Sequence, residues 1–133
     1  MKVWIDHLGI AVQDVEQTLT FFRDVLGLHV DAPEEVASQR VRAHFLHMGP
    51  SSLELLEATA FDSPIAKFVE KRGPGMHHVA YQVDDLRGEL RGLAEQGVQL
   101  IDEEPHRGLF GLEVAFVHPD SVHGVLAELV SNG

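Results

Sequence analysis

The chain resembles itself at a spacing of 71 residues. Asp6-His7-Leu8-Gly9-Ile10-Ala11-Val12 lines up with His77-His78-Val79-Ala80-Tyr81-Gln82-Val83. Asp14, Val15, Leu19 and Phe22 then fall on Asp85, Leu86, Leu90 and Leu93. His44-Phe45-Leu46-His47 falls on Ala115-Phe116-Val117-His118, and after a small drift Leu53-Glu54-Leu55 meets Ala127-Glu128-Leu129. A two-fold repeat is too short for a solenoid, which needs at least about three units to bury a core. It predicts two similar modules sharing one core, and 133 residues suit a single domain of that kind. The expected division is module one over residues 1–60, a linker helix within 61–74 and module two over 75–133.

Each module reads as βαβββ, an α+β pattern. The first strand alternates over Ile5–Val12 and over His78–Val83. A helix follows in each. Asp14 is placed as an N-cap, with Gln17 three residues on, and Val15, Leu19, Phe22 and Leu26 mark one apolar face before Gly27. Asp85 caps the second helix, Leu86, Leu90 and Leu93 face inward, and Gly97 stops it. Three shorter strands are predicted after each helix: Gly27–Val30, Val41–His47 and Ser52–Glu57 in the first module, and Val98–Ile101, Leu112–His118 and Val125–Val130 in the second. In the linker, Ser63-Pro64 and Gly73-Pro74 bracket a short helix over Pro64–Arg72.

Alternate residues of a strand share a face. Leu8, Ile10 and Val12 are bulky and apolar and belong under the helix, which leaves His7 on the opposite face with Gly9 and Ala11. Likewise Val79, Tyr81 and Val83 go under the second helix, and His78 lies opposite with Ala80 and Gln82. Small neighbours leave room for something other than a side chain. Glu54 interrupts Leu53-Glu54-Leu55-Leu56 and Glu128 interrupts Ala127-Glu128-Leu129-Val130, at matching repeat positions. A carboxylate in a buried strand is costly unless it is paired, hydrogen-bonded or bound to a metal. One such His or Glu alone is more often solvated or hydrogen-bonded than a ligand. The symmetric set His7, Glu54, His78 and Glu128 is what singles out a metal site. His77 shares the face of Val79 and Tyr81 and reads as structural. His47 and His118 read as strand-end residues, His29, His106 and His123 as loop or edge residues, and His44 is assigned no role.

Two imidazoles and two carboxylates suit a borderline divalent ion: zinc, cobalt, nickel, manganese or ferrous iron. Four protein ligands leave positions open on an ion that prefers five or six, which is the requirement for Lewis-acid chemistry on a chelating carbonyl compound. Composition removes other classes. There is no cysteine, so disulfides, thiolate metal sites and a cysteine nucleophile are out. With 21 acidic and 10 basic residues, the net charge of −11 disfavours a nucleic-acid or membrane-surface partner. No apolar run approaches the roughly 20 residues that span a bilayer, and the opening MKVWIDHLGIAV lacks a signal-peptide pattern, so the expected compartment is the cytoplasm. Open sheet edges favour pairing, and a homodimer is expected.

The strand-one DHLGIAV, the block ELLEATAFDSPIAKFVEKRGPGMHHVAYQV, the GVQLIDEEP segment, the G-x-x-G loop at Gly108–Gly111 and the closing AFVHPDSVHGVLAELV resemble the methylmalonyl-CoA epimerases. These belong to the vicinal-oxygen-chelate, or glyoxalase-like, superfamily. The resemblance runs from about Ile5 to Val130. It implies paired βαβββ modules in a U-shaped sheet around a metal, usually cobalt, manganese or zinc, and a small acyl-CoA substrate epimerised at C2 through an enediolate. Carried over by motif, the family's ligands fall on His7, Glu54, His78 and Glu128. Glu128 and Glu54 are the expected acid/base groups. Some relatives carry a further catalytic Glu on the third strand, after a Gln-Gly-Val element. Here that stretch is Gln39-Arg40-Val41-Arg42-Ala43 and the position is Ala43. Lys67, Lys71, Arg72 and Arg107 could meet CoA phosphates, but a solvated-surface role is the expected one for most of them. The competing readings are a glyoxalase-type isomerase or another acyl-CoA epimerase with the same metal site, a metal-free binding protein of the same fold, and a structural dimeric domain.

Overall fold

The computed structural model describes residues 3–132. Residues 7–77 form one compact unit, and residues 78–132, together with 3–6, form a second, the divisions falling inside the opening strand of each module, which is described with the unit that holds most of it. The first carries β1 (Trp4–Val12), α1 (Val15–Leu19) running into a π-helical turn over Thr20–Val25, β2 (Glu34–Val36), β3 (Val41–Met48), β4 (Ser51–Ala58) and α2 (Pro64–Arg72). Its strands lie in the order β2-β3-β4-β1. The second carries β5 (Gly75–Gln82), α3 (Leu86–Glu95), β6 (His106–Arg107), β7 (Glu113–Val117) and β8 (Leu126–Ser131), in the order β5-β8-β7-β6. In each unit the first strand pairs in parallel with the last, and the last pairs antiparallel with the one before it. The fold is α+β, and the repeated modules expected from the sequence are present. Among the described residues, no helix is long and apolar enough to cross a membrane.

Local chemistry explains the helix ends. Asp14 accepts a hydrogen bond from the backbone N–H of Gln17 at 3.2 Å, and Asp85 accepts one from Gly88 at 3.0 Å. Each satisfies a donor that the first helical turn leaves without an internal partner. Ser63 Oγ accepts from the Ile65 N–H at 3.1 Å, Pro64 opens α2, and Gly73 closes it at φ 77°, as the sequence predicts. Val12, Leu19, Leu46, Leu53 and Leu55 form the core under α1, with Leu8, Ile10, Val15 and Phe22 packed against it. Val83, Leu86, Leu90, Ala115, Val117, Ala127 and Leu129 form its counterpart under α3, joined by Tyr81 and Leu93.

Two expectations need correction. The helix after Asp14 is not α-helical to its end. The N–H of Leu26 bonds to the carbonyl of Phe21, a π-type step, and Leu26 is exposed rather than on the apolar face. The wider π turn rotates each residue by less than an α-helical turn would, so Leu26 falls short of the stripe that Val15, Leu19 and Phe22 follow. The short strands expected at Gly27–Val30 and Val98–Ile101 are reduced to single bridges, Val30 to Leu46 and Leu100 to Val117. The edge strands are instead Glu34–Val36 and His106–Arg107. Each edge segment runs beside its neighbour twice, with a proline, Pro33 or Pro105, directly before the second stretch. A proline has no N–H to give a ladder, so pairing cannot run through it.

Candidate functional site

The register of the first unit places Glu54 across from Gly9 on one side and Phe45 on the other. That of the second places Glu128 across from Ala80 and Phe116. Each glutamate therefore sits between one small residue and one aromatic ring. Each histidine lies two residues before that small neighbour on the same face of its strand. His7 Nε2 stands 3.6 Å from Glu54 Oε2, and His78 Nε2 stands 3.3 Å from Glu128 Oε1. These side chains are about nine-tenths buried: His7 is 11% exposed, Glu54 12%, His78 6% and Glu128 10%. The Phe116 ring meets His78 edge-on with centroids 6.0 Å apart.

The donor set fits a divalent ion. Two atoms held at about 2.1 Å from a shared ion, at angles between square and tetrahedral, stand about 3.0–3.4 Å apart. The two His–Glu separations are close to that, and His7 and Glu54 offer ligand atoms near enough to share one ion. At 3.6 Å the His7–Glu54 contact is too long to be a hydrogen bond. A buried carboxylate facing a nitrogen donor at that distance is suited to a third partner of positive charge.

The structure thus brings the four expected residues together as two pairs, one in each unit. The remaining histidines take other places. His77 meets Phe68 edge-to-face at 4.9 Å, with the Arg72 guanidinium 5.7 Å from the same ring, and so ties α2 to β5. His118 accepts a hydrogen bond from the Asp120 N–H through Nδ1 and caps the turn after β7. His44 lies on the face that packs under α1, with Nε2 3.0 Å from Glu57. Arg42 donates to that same Glu57 and to Glu35, which raises its guanidinium pKa above the ordinary value. Ala43 is 1% exposed, and its cross-strand neighbour on β2 is Glu34.

One cluster was missed in the sequence. Asp31 stands between two histidines, with His47 Nε2 2.6 Å from Oδ2 and His29 Nε2 3.2 Å from Oδ1. Its carboxyl is held below the usual range, chiefly by the hydrogen bond to His47, against an opposing desolvation effect and with help from the charges of His47 and His29. The H-x-D spacing of His29 and Asp31 is visible in the loop, but the pairing of that loop with β3, which brings up His47, is not.

Residues 6–116 match the glyoxalase/bleomycin resistance protein/dioxygenase superfamily. The chain is 42% identical over 125 residues to YqjC of Bacillus subtilis, itself uncharacterised, covering 94% of this chain and 89% of that one. It is 36% identical over 126 residues to the mitochondrial methylmalonyl-CoA epimerase of Bos taurus, covering 94% and 72%. Its fold superposes with a TM-score of 0.89, at 38% identity and covering 98% and 94%, on a variant of Streptomyces coelicolor methylmalonyl-CoA epimerase in complex with 2-nitronate-propionyl-CoA. With the βαβββ repeat and the paired His–Glu positions, these matches establish that the chain belongs to the glyoxalase/bleomycin resistance protein/dioxygenase superfamily and, within it, to the methylmalonyl-CoA epimerase family of isomerases.

Proposed function

We propose that this chain is a metal-dependent epimerase that interconverts (R)- and (S)-methylmalonyl-CoA by moving the proton at C2. The observation that carries the reading is the buried His–Glu pair repeated at matched positions, His7 with Glu54 and His78 with Glu128. In this reading the four side chains hold one divalent ion: cobalt first, with manganese, zinc or nickel as alternatives compatible with nitrogen and carboxylate donors. When bound, such an ion supplies Lewis acidity to the thioester and carboxylate oxygens of the acyl group and so lowers the cost of losing the C2 proton.

The chain's own groups then move the proton. Glu128 accepts it from C2 on one face of the acyl group, and Glu54 delivers one to the other face. The product is the opposite enantiomer, with no net gain or loss of protons once the two carboxyls re-equilibrate with water. The reaction needs groups on both faces of a planar deprotonated acyl group, and Ala43 offers none. Phe45 and Phe116 lie across the ladder from the two glutamates and wall them with aromatic side chains. The small residues Gly9 and Ala80 leave room beside each carboxylate. We further propose that the chain works as a homodimer in the cytoplasm and acts as one domain.

The test is hydrogen exchange in deuterated water. Methylmalonyl-CoA should gain deuterium at C2 without conversion to another compound, and a chelator should stop it. Activity on the glutathione hemithioacetal of methylglyoxal, with none on methylmalonyl-CoA, would replace this reading with a glyoxalase-type isomerase.

A further inference from the structure

The repeat that matches the histidines and glutamates, at a spacing of 71, also matches Asp31 with Asp102 and Phe45 with Phe116. In each module the aspartate N–H bonds to the carbonyl of the phenylalanine that lies across the ladder from a candidate glutamate ligand: Asp31 to Phe45 at 3.0 Å, and Asp102 to Phe116 at 3.2 Å. The two carboxylates then differ. That of Asp31 goes to His47 and His29. That of Asp102 turns back on the strand, and its Oδ2 accepts the Phe116 N–H at 2.8 Å. Asp102 therefore holds both backbone groups of Phe116, whose carbonyl also accepts from Ile101 at 3.0 Å. The sheet edge leaves a gap at this point. Pairing with β6 ends at Val114, and the next bridge joins Leu100 to Val117. A side-chain carboxylate fills the place of a ladder partner, and such an acceptor makes a stronger bond than a neutral carbonyl. The other oxygen of Asp102, Oδ1, stands 3.8 Å from His106 Nδ1, beyond hydrogen-bond reach.

Phe116 in turn touches the candidate ligands of this unit. Its ring meets His78 edge-on, with centroids 6.0 Å apart and planes at 82°. It also lies across the ladder from Glu128. Edge-to-face contact at that separation favours one ring orientation over others. Orientation matters because His78 Nε2 is the atom that stands 3.3 Å from Glu128. An imidazole turned over presents a different atom to Glu128, and a ligand that must be turned back before it binds loses affinity. We propose that Asp102 is a positioning residue for the metal site, fixing the His78 imidazole through Phe116. The carboxylate anchors the backbone of Phe116, the Phe116 ring limits rotation of His78, and the His78–Glu128 pair is thereby preorganised for an ion. This inference rests on the reading of His78 and Glu128 as ligands and adds to it the residue that holds one of them in place.

The experiment compares wild type with Asp102→Ala, which removes the acceptor, Asp102→Asn, which keeps a side-chain oxygen in its place, and Phe116→Leu, which keeps an apolar side chain and removes the ring. Asp31→Ala is the control at the matched repeat position. Three quantities are read on metal-free protein: the Kd for Co2+ by calorimetry, hydrogen exchange of the backbone amide at position 116, and the imidazole NMR resonances of His78 and His7 before metal is added. Loss of an outer partner of a metal-bound histidine lowers affinity by about 10- to 100-fold. Asp102→Ala should speed exchange of the Phe116 amide and weaken Co2+, each by at least about tenfold, and broaden the His78 ring resonances while those of His7 stay as they are. Asp102→Asn should bring Co2+ affinity back to within about threefold of wild type. Phe116→Leu should repeat the loss of affinity with the amide at position 116 still protected. Asp31→Ala should stay within about twofold of wild type in Co2+ affinity. A merely structural role would disturb His7 and His78 alike, and that outcome overturns the proposal. So does wild-type Co2+ affinity in Asp102→Ala, or an Asp102→Asn no better than Asp102→Ala. If Asp102→Ala does not fold, Phe116→Leu decides, and wild-type affinity there overturns the proposal. A wild type that binds no Co2+ overturns the ligand reading alone, because the His78 resonances of the metal-free variants still decide the role of Asp102.

Discussion

Glu128 lies directly across the β5–β8 ladder from Ala80, as Glu54 lies across β1–β4 from Gly9. The side chain opposite each carboxylate is thus a methyl group or nothing. Ala80 is fully buried, so on the β5 side the space beside Glu128 is set by that one residue, with Phe116 on the other side. A larger side chain there has nowhere to go. Ala80→Val should cost about 1–3 kcal/mol of stability through overpacking, read from the denaturation midpoint. It should also lower divalent-metal content measured by elemental analysis. A variant with wild-type metal content would show that the space is not reserved for the ion.

Metal content tests the ligand set directly. Purified protein should hold about one divalent ion per chain, and His7→Ala and His78→Ala should each lower occupancy by at least about tenfold, since each removes one of four donors. Equal and full occupancy in both variants would exclude these residues as ligands. Prolonged dialysis against a chelator should abolish C2 exchange, and added cobalt should restore it.

The two glutamates separate by proton transfer rather than by binding. Glu54→Gln keeps an oxygen donor for the ion and loses the acid/base. It should retain metal and lose about 10²- to 10⁴-fold in epimerisation. Exchange of the C2 proton from one enantiomer should survive, because Glu128 still serves its face. Glu128→Gln should show the converse preference. Wild-type epimerisation by Glu54→Gln would reduce Glu54 to a ligand.

The Asp31 carboxyl is depressed by His47 and His29. Its contribution to stability is therefore present above the unfolded carboxylate value of about 3.9 and is lost as pH falls through the lower folded value. The group is exposed, so the effect on global stability is small. The cleaner reading is an NMR titration. Asp31 should titrate below about 3.9 in wild type and move back toward that value in His47→Gln, with a smaller return in His29→Gln. Identical curves in all three would mean that the two histidines do not hold the carboxylate.

The modules, the helix caps and the four candidate ligands are legible in the sequence alone. Asp14, Asp85 and Ser63 cap from local chemistry, since an N-cap side chain reaches backbone groups only two or three residues away. The faces of β1 and β5 follow from the two-residue period of a strand, which no tertiary contact can alter without a register slip. His7, Glu54, His78 and Glu128 could therefore be chosen from alternation and the repeat. Tertiary structure decided what alternation does not encode. Which stretches complete the sheet edges depends on β3 and β7 as partners and on Pro33 and Pro105 as interruptions. The π turn before Leu26 depends on which carbonyl its N–H finds. Asp31 reaches His47 only because its loop bonds to β3, with the Asp31 N–H on the Phe45 carbonyl at 3.0 Å. Backbone periodicity is local, whereas burial and hydrogen-bond partnership are set by segments far apart in the chain.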